Sequence, residues 1–188
     1  MTGPASDRKS KVMPHKDKLT ILETERLELR RLQSRDIPSM LDLWTDPEVT
    51  AYMGGPRDRD QLESDFSKEA AEPFAQQYDL WPLVEKRTGG VVGHCGLLEK
   101  EVDGKAEIEL VYVIARTAWG KGFASEVARA LIQYAFRELN LARLVALIEP
   151  ENTASEAVAR KVGMHLEKET IRPGGAMRKV YCVEAGDR

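Results

Sequence analysis

The sequence predicts one α/β domain of the α+β kind: a mixed, mostly antiparallel central sheet of about seven strands with helices on both faces. Strand-like and helix-like periodicities follow one another in the order β-α-α-β-β-β-α-β-α-β-β, which differs from a regular βαβ series. The chain has 188 residues, enough for one hydrophobic core that needs no disulfide or metal. We assign residues 19–188 to this domain and residues 1–18 to a flexible N-terminal tail.

The first half of the domain is predicted to contain one strand and two helices. Polar and apolar residues alternate over residues 23–30, which predicts the opening strand. An amphipathic helix through Trp44 ends before Pro47, and a second one through Phe66 ends before Pro73. Trp44 falls in the apolar stripe of its helix, so we expect it in the core.

The second half is predicted to contain the remaining strands and two more helices. Glycine turns at residues 88–90 and 103–104 join three successive strands into hairpins. Gly163 is well placed as the C-cap of the last helix. The predicted strands span residues 80–85, 91–98, 106–114, 144–148, 165–170 and 179–183, and the predicted helices span residues 123–140 and 155–162.

Composition narrows the functional classes. Lys and Arg number 28 against 31 Asp and Glu, and this net charge of −3 argues against nucleic-acid binding. No apolar run is long enough to cross a bilayer, and the basic N-terminus lacks the apolar segment of a secretory signal, so we expect no membrane partner. Cys95 and Cys182 stand alone, which favours two buried free thiols in a reducing cytoplasm. His15 and His165 suggest no metal site.

The most informative segment, Trp119 to Ser125, joins an apolar strand to a helix. Small residues at Gly120, Gly122 and Ala124 let the backbone approach a ligand closely. The first N–H groups of the helix are unpaired donors, and the helix dipole adds positive potential there. These features indicate a phosphate or pyrophosphate site, although a tight turn without a ligand has the same composition. Neither the P-loop nor the GxGxxG spacing is present.

This segment, which follows the strand 109–113, resembles the acetyl-CoA signature of the GNAT superfamily of N-acetyltransferases, with Gly122 and Ala124 at its small positions. Trp119 replaces the usual Gln or Arg, as in the branch that includes ribosomal-protein-alanine N-acetyltransferases. Four further stretches resemble the same branch in the same order, so the likeness covers about residues 20–184. It implies acetyl-CoA as co-substrate. The stretches are residues 24–27, 93–97, 151–155 and 161–164.

The resemblance also implies which residues hold the cofactor. A backbone N–H of Val111 or Val113 would stabilise the oxyanion, and the backbone of residues 111–113 would pair with the pantetheine arm. Asn152 is similar to a residue that hydrogen-bonds the cofactor, and with Thr153 and Glu156 it also fits an N-cap with a capping box. The implied cofactor-binding residues are Val111, Tyr112, Val113, Trp119, Gly120, Lys121, Gly122, Phe123, Ala124, Ser125 and Asn152.

Acetyl transfer to an amine requires the neutral amine, because an alkyl amine with a pKa of about 10 is mostly protonated at neutral pH. Glu109 is the candidate base or water-positioning carboxylate, with Glu107 on the same strand face as a rival. Many relatives protonate the CoA thiolate with a tyrosine on the last helix, where this chain has Ala159. Tyr112 and Ser155 are the candidate substitutes, unless the proton passes directly from the attacking amine.

Three residues are candidates for acceptor contacts. Tyr52 and Met53 lie in the loop between the first two helices, which overhangs the thioester in this fold. Trp81 begins a strand and would either line the acceptor cleft or pack in the core. His94 lies on an apolar strand, so we predict a packed core histidine rather than a base.

Three functions follow from this reading. The leading one is an N-acetyltransferase that uses direct attack in a ternary complex and whose acceptor is a protein N-terminus or a small-molecule amine. The alternative is a non-catalytic acyl-CoA-binding sensor, which the missing tyrosine leaves open. A ribosome-associated partner protein is a third, disfavoured by the slight acidity. A monomer and a homodimer that pairs through an exposed final strand both fit.

Overall fold

A computed structural model describes residues 19–73 and 76–186, and the predicted N-terminal tail lies outside the described residues. The described chain forms eight strands and four α-helices, with one short 3-10 turn before the first helix and another before the third. The strands are β1 (Thr20–Glu23), β2 (Leu27–Arg30), β3 (Leu80–Glu85), β4 (Val91–Val102), β5 (Lys105–Ile114), β6 (Arg143–Ile148), β7 (His165–Ile171) and β8 (Met177–Glu184); the helices are α1 (Ile37–Thr45), α2 (Arg59–Ala71), α3 (Phe123–Arg137) and α4 (Thr153–Lys161).

The opening of the domain is two strands, which corrects the single strand predicted over residues 23–30. A tight turn separates β1 from β2, and in it the Thr24 N–H donates to the Leu27 carbonyl at 2.9 Å. The two strands pair antiparallel, with Thr20 opposite Arg30. The alternation of polar and apolar residues runs straight through the turn, so periodicity alone does not reveal it.

The eight strands form one sheet in the order β1-β2-β3-β4-β5-β6-β8-β7. Neighbouring strands are antiparallel except β5 and β6, which confirms the predicted mixed, mostly antiparallel sheet. The final strand β8 lies between β6 and β7. The prediction of an exposed final strand is therefore wrong, because β7 forms that edge of the sheet.

Helices cover both faces of the sheet, as predicted. α3 packs on one face, where its buried Leu131 joins Leu110 of β5 in a common apolar cluster. α1 and α2 pack on the other face, where Met40 and Phe66 join Val111 of β5. Because successive side chains of a strand alternate between faces, even-numbered residues of β5 face α3 and odd-numbered residues face α1 and α2.

β5 and β6 meet at one level and then diverge. Their register contains a single pair, Glu109 with Val145. Beyond this level β5 keeps β4 as its neighbour on one side, and on the other side a wedge opens toward the ends of both strands. α3 follows β5 and α4 follows β6, so the N-termini of both helices lie at the mouth of this wedge. The wedge is the place where the fold exposes backbone groups and helix N-termini together.

Candidate active site

A cavity of about 600 Å³ fills the wedge and reaches the loop after α1. It has two halves. The glycine-loop half lies against the N-termini of α3 and α4, and the α1–α2-loop half lies between that loop, β5 and β6. The glycine-loop half is lined by residues that include Tyr112, Ile114, Trp119, Gly120, Gly122, Phe123, Ala124, Ser125, Asn152 and Ser155, and the α1–α2-loop half by Glu48, Val49, Tyr52, Met53, Glu109, Val111, Val113, Leu147 and Glu149.

The glycine segment turns the chain from β5 into α3 through two left-handed residues. Gly120 has φ +74° and Gly122 has φ +79°, a conformation that side chains with a Cβ disfavour. Gly122 is the N-cap of α3, and it offers no side chain to the first N–H groups of the helix. These donors therefore point into the cavity, where they and the helix dipole suit an anionic group.

Arg26 and Glu126 fasten the glycine segment to the β1–β2 turn. Glu126, in the first turn of α3, accepts hydrogen bonds from the Thr24 hydroxyl at 2.5 Å and from Arg26 Nε at 2.7 Å. Arg26 Nη1 in turn donates to the Lys121 carbonyl at 3.0 Å. Neither periodicity nor family likeness in the stretch 24–27 predicts this contact between residues 100 positions apart.

Trp119 and Lys121 are both predicted to bind the cofactor, but only Trp119 lines the cavity. Trp119 donates its indole N–H to the Ile114 carbonyl at 2.8 Å and lines the cavity with a half-exposed ring. The Ile114 carbonyl at the end of β5 therefore already has a hydrogen-bond donor. Lys121 is not among the residues that line the cavity, and its ammonium lies 5.8 Å from the centre of the Phe123 ring. The side chain of Lys121 thus points along the helix start instead of into the cavity.

The register of β5 changes the assignment of its backbone groups. Ala115 donates to the Val92 carbonyl at 2.9 Å, and the pairing with β4 continues without a shift. In an antiparallel ladder every second residue bonds the same neighbour, so Val111 and Val113 direct their N–H groups to β4. Tyr112 and the even-numbered residues direct theirs into the wedge. The N–H groups of Val111 and Val113, predicted as oxyanion donors, thus face β4, whereas the backbone of Tyr112 faces the cavity.

Glu109 stands at the level where β5 and β6 part, and it lines the cavity. Burial raises the pKa of this carboxyl above its usual value, while the charge of Lys100, the backbone of Leu147 and the more distant arginines act in the opposite direction. The rival Glu107 accepts from Arg143 Nε at 3.2 Å and does not line the cavity. Between the two carboxylates, only Glu109 is placed for chemistry in the wedge.

Tyr112 and Ser155 meet across the glycine-loop half. The Tyr112 hydroxyl lies 2.9 Å from Ser155 Oγ and 3.1 Å from the Ser155 carbonyl. Burial raises the pKa of Tyr112 to about 12, with the bond to Ser155 opposing the shift. Ala159, at the position where relatives have a tyrosine, is fully buried in the core. The side chains that sequence reasoning offered as substitutes therefore form one hydrogen-bonded pair.

Asn152 is the N-cap of α4, and its side chain accepts from the Ser155 N–H at 3.0 Å. This confirms the predicted cap. The predicted capping box with Glu156 is wrong, because the Glu156 carboxylate instead accepts from Lys179 and from the Tyr181 hydroxyl. Asn152 also lines the cavity beside Ser155, so capping and ligand contact are compatible.

The structure separates the three acceptor candidates. Tyr52 and Met53 line the cavity, with Tyr52 partly exposed at its mouth. Trp81 is buried in the cluster on the α3 face and does not reach the cavity, which corrects its assignment to the acceptor cleft. His94 accepts from the Trp44 indole at 3.1 Å, and burial lowers its pKa to about 4. It is a packed neutral histidine, as predicted.

Other expectations concern metals, thiols and membranes. In residues 19–73 and 76–186, no group of three or more His, Cys, Asp or Glu side chains is arranged to hold a metal ion. Cys95 and Cys182 are both free and buried, as predicted. Within that same part of the chain, no helix is long and apolar enough to cross a membrane.

The wedge holds a half-buried carboxylate together with a helix N-terminus that follows two left-handed glycines. This arrangement suits a protein that places an anionic cofactor beside a reacting group. Residues 26–165 match the family model described as the acetyltransferase (GNAT) domain. The chain belongs to this family, and it is an acetyl-CoA-dependent acetyltransferase.

The similar proteins agree with this assignment. YkkB of Bacillus subtilis is 36% identical over 163 residues, which cover 86% of this chain and 94% of that protein. The N-acetyltransferase p20 of Bacillus licheniformis is 41% identical over 144 residues, 71% of this chain and 76% of that protein. The crystal structure of an acetyltransferase from Agrobacterium tumefaciens has a TM-score of 0.72 at 30% identity, covering 88% of this chain and 94% of that one. Ribosomal-protein acetyltransferases share the fold too, at 16% and 17% identity, which shows the fold alone.

Proposed function

We propose that the protein transfers the acetyl group of acetyl-CoA to a primary amine by direct attack within a ternary complex. The observation that supports this most is the position of Glu109, a half-buried carboxylate in the cavity that also receives the α3 N-terminus. In the reaction the amine nitrogen bonds to the acetyl carbon, the carbon–sulfur bond breaks, and one amine proton leaves for Glu109. The raised pKa of this carboxyl brings it closer to the amine's and makes it a better proton acceptor.

The glycine-loop half holds the cofactor in this proposal. The first N–H groups of α3 receive the pyrophosphate, and the Tyr112 backbone in the wedge meets the pantetheine arm and the developing oxyanion. The Tyr112 hydroxyl, positioned by Ser155 Oγ, turns its proton from the Ser155 carbonyl to the departing thiolate and donates a hydrogen bond to it. With a pKa of about 12 it keeps its own proton, since a thiol has a pKa of only about 8.5. Glu109 then gives up the proton that it took from the amine, and this proton protonates the thiolate, so that Glu109 returns to its deprotonated form.

Substitution of Glu109 by Gln tests the proposal. We expect kcat in a thiol-release assay to fall by about 100-fold, while the Kd of acetyl-CoA measured by titration calorimetry stays within about twofold. As a base, Glu109 acts only when deprotonated, so kcat/KM of the native protein rises with pH through the raised pKa of Glu109. This limb of the profile is expected to disappear in the variant.

Glu107→Gln is the matched control, because Glu107 lies on the same strand face but pairs with Arg143 outside the cavity. Its kcat and pH profile are expected to remain those of the native protein. An unchanged kcat in Glu109→Gln would remove Glu109 from the mechanism. Binding of acetyl-CoA without turnover on any amine would favour the non-catalytic sensor instead.

A further inference from the structure

The α1–α2-loop half of the cavity has an apolar wall of fixed shape. Thr50 is fully buried, and its carbonyl accepts from the N–H groups of Met53 at 2.8 Å and Gly55 at 3.0 Å. Arg57 Nη2 donates to the Met53 carbonyl at 2.6 Å. These bonds fix the shape of the loop, which presents Val49, Met53 and the ring of Tyr52 to the cavity.

The charges along this half are already matched, with one exception. Glu48 pairs with Arg116, and Glu149 pairs with Arg178 at 2.6 Å. Within the described residues, Glu109 is the carboxylate of this cavity that forms no ion pair, and the charges of Lys100, Arg172 and Arg178 act on it only from a distance. One ammonium group of an acceptor can therefore pair with Glu109, whereas a second ammonium group would find no unpaired carboxylate.

An anionic group on the acceptor would also lack a partner of opposite charge in this cavity. Among the described residues that line the cavity, none is Lys or Arg. Arg178 is held by Glu149, which lines the cavity, and also donates to the Met177 carbonyl at 2.8 Å. A carboxylate next to the acceptor nitrogen would thus lose its hydration without gaining a cation.

We propose that the acceptor is a small monoamine, a primary amine on an apolar aliphatic or aromatic body, and not a polyamine, a free amino acid or a peptide N-terminus. This rests on the proposed acetyl transfer and specifies its second substrate. Glu109 meets the single nitrogen, while Val49, Tyr52 and Met53 contact the body. A peptide is disfavoured because its own backbone groups would need partners, and the Thr50 and Met53 carbonyls of the loop already accept bonds from within it.

Matched amines test the inference at saturating acetyl-CoA. Hexylamine and 1,6-diaminohexane share one carbon chain and differ by an ammonium group, and norleucine adds a carboxylate beside the nitrogen. We expect kcat/KM for hexylamine to exceed that of the diamine, of norleucine and of an alanyl peptide by at least about tenfold, because an unpaired charge entering the cavity costs at least that much.

Arg116→Gln tests the charge argument directly, since it uncovers the carboxylate of Glu48 at the rim. The preference for hexylamine over the diamine is expected to shrink about fivefold, a change typical of one partly exposed ion pair. Arg59→Gln is the control: its partner Asp42, 3.3 Å away, does not line the cavity, and the preference should not move.

The outcomes separate the two proposals. If acetyl-CoA fails to bind in calorimetry, the proposed function and this inference both fall. If acetyl-CoA binds and the diamine, norleucine or the peptide is acetylated as well as hexylamine or better, acetyl transfer stands and the monoamine assignment is wrong. Binding without turnover of hexylamine, or an unmoved preference in Arg116→Gln, also overturns the inference.

Discussion

The glycine-loop half of the cavity comes mainly from one stretch of chain, whereas the α1–α2-loop half is assembled from three distant ones. Residues 119–125 supply the turn, the helix N-terminus and most of the lining of the first half. Tyr52, Glu109 and Glu149 reach the second half from separate elements. The first half is therefore fixed by local backbone conformation, and the second by how side chains from different elements neutralise one another.

This contrast explains why a family can keep one cofactor and change its acceptor. Anion binding at a helix N-terminus uses backbone N–H groups, which a change of side chain leaves in place. In the inference proposed above, acceptor recognition depends on whether Glu48, Glu109 and Glu149 have cationic partners, and one substitution alters that. Substitutions that alter the backbone should consequently weaken cofactor binding in the glycine-loop half most. Substitutions that alter charge should change the acceptor preference of the α1–α2-loop half.

The largest effect is expected from Gly122→Val, which attacks the glycine-loop half through its backbone. A β-branched residue disfavours the left-handed conformation at φ +79° and would turn the first N–H groups of α3 away from the cavity. We expect the Kd of acetyl-CoA by calorimetry to rise about 100-fold, equivalent to about 2.7 kcal/mol.

Gly89→Val controls for strain alone. Gly89 has φ +69° in the β3–β4 turn and does not line the cavity, so its substitution should lower the thermal midpoint while acetyl-CoA affinity is kept. Equal affinity losses in both variants would mean that folding, and not the position of the α3 donors, explains the effect.

Tyr112→Phe sharpens the comparison at the boundary between the halves. It keeps the backbone N–H in the wedge and removes the hydroxyl that pairs with Ser155 at 2.9 Å. We expect kcat to fall about tenfold through the lost hydrogen bond to the departing thiolate, with little change in acetyl-CoA affinity. The pH limb assigned to Glu109 should persist, and its loss in this variant would show that the limb belongs to Tyr112 instead.

The sequence predicted the glycine-loop half well because its signals are contiguous. The two glycines, the helix start and the Asn152 cap are each recognised within a few residues of chain. The mistakes concern facts that depend on register or on distant partners. Which β5 residues face the wedge is decided by pairing with β4, and a shift of one residue would exchange Val111 and Tyr112.

Distant partners account for the remaining mistakes. Glu156 leaves the capping box because Lys179 and Tyr181 from β8 capture its carboxylate. Trp81 begins an almost fully buried strand, and periodicity could not decide which face of the sheet it joins. The α1–α2-loop half shows the same limit. Tyr52 and Met53 were found by resemblance, but the ion pairs of Glu48 and Glu149 require the folded chain.

The smallest effect is expected at Arg26, whose charge lies next to the glycine-loop half although Arg26 does not line the cavity. Arg26, about half exposed, pairs with Glu126 and bonds the Lys121 carbonyl. In Arg26→Gln a cation beside the anion site is lost and Glu126 is left unpaired, so the Kd of acetyl-CoA should rise about fivefold at low salt and less at high salt.

Glu126→Gln distinguishes charge from anchoring, because it breaks the same contact while leaving the cation. The pKa of Glu126 is lowered because its bonds from Thr24 and Arg26, together with the charge of Arg26, outweigh the burial that would raise it. The stability that this carboxylate contributes is therefore present above its unfolded pKa and is lost as pH falls through the lower folded value. If charge matters, this variant binds acetyl-CoA at least as tightly as the native protein although its thermal midpoint falls at neutral pH. If anchoring of the loop matters more, both variants lose affinity alike, and the glycine-loop half then depends on distant side chains as the other half does.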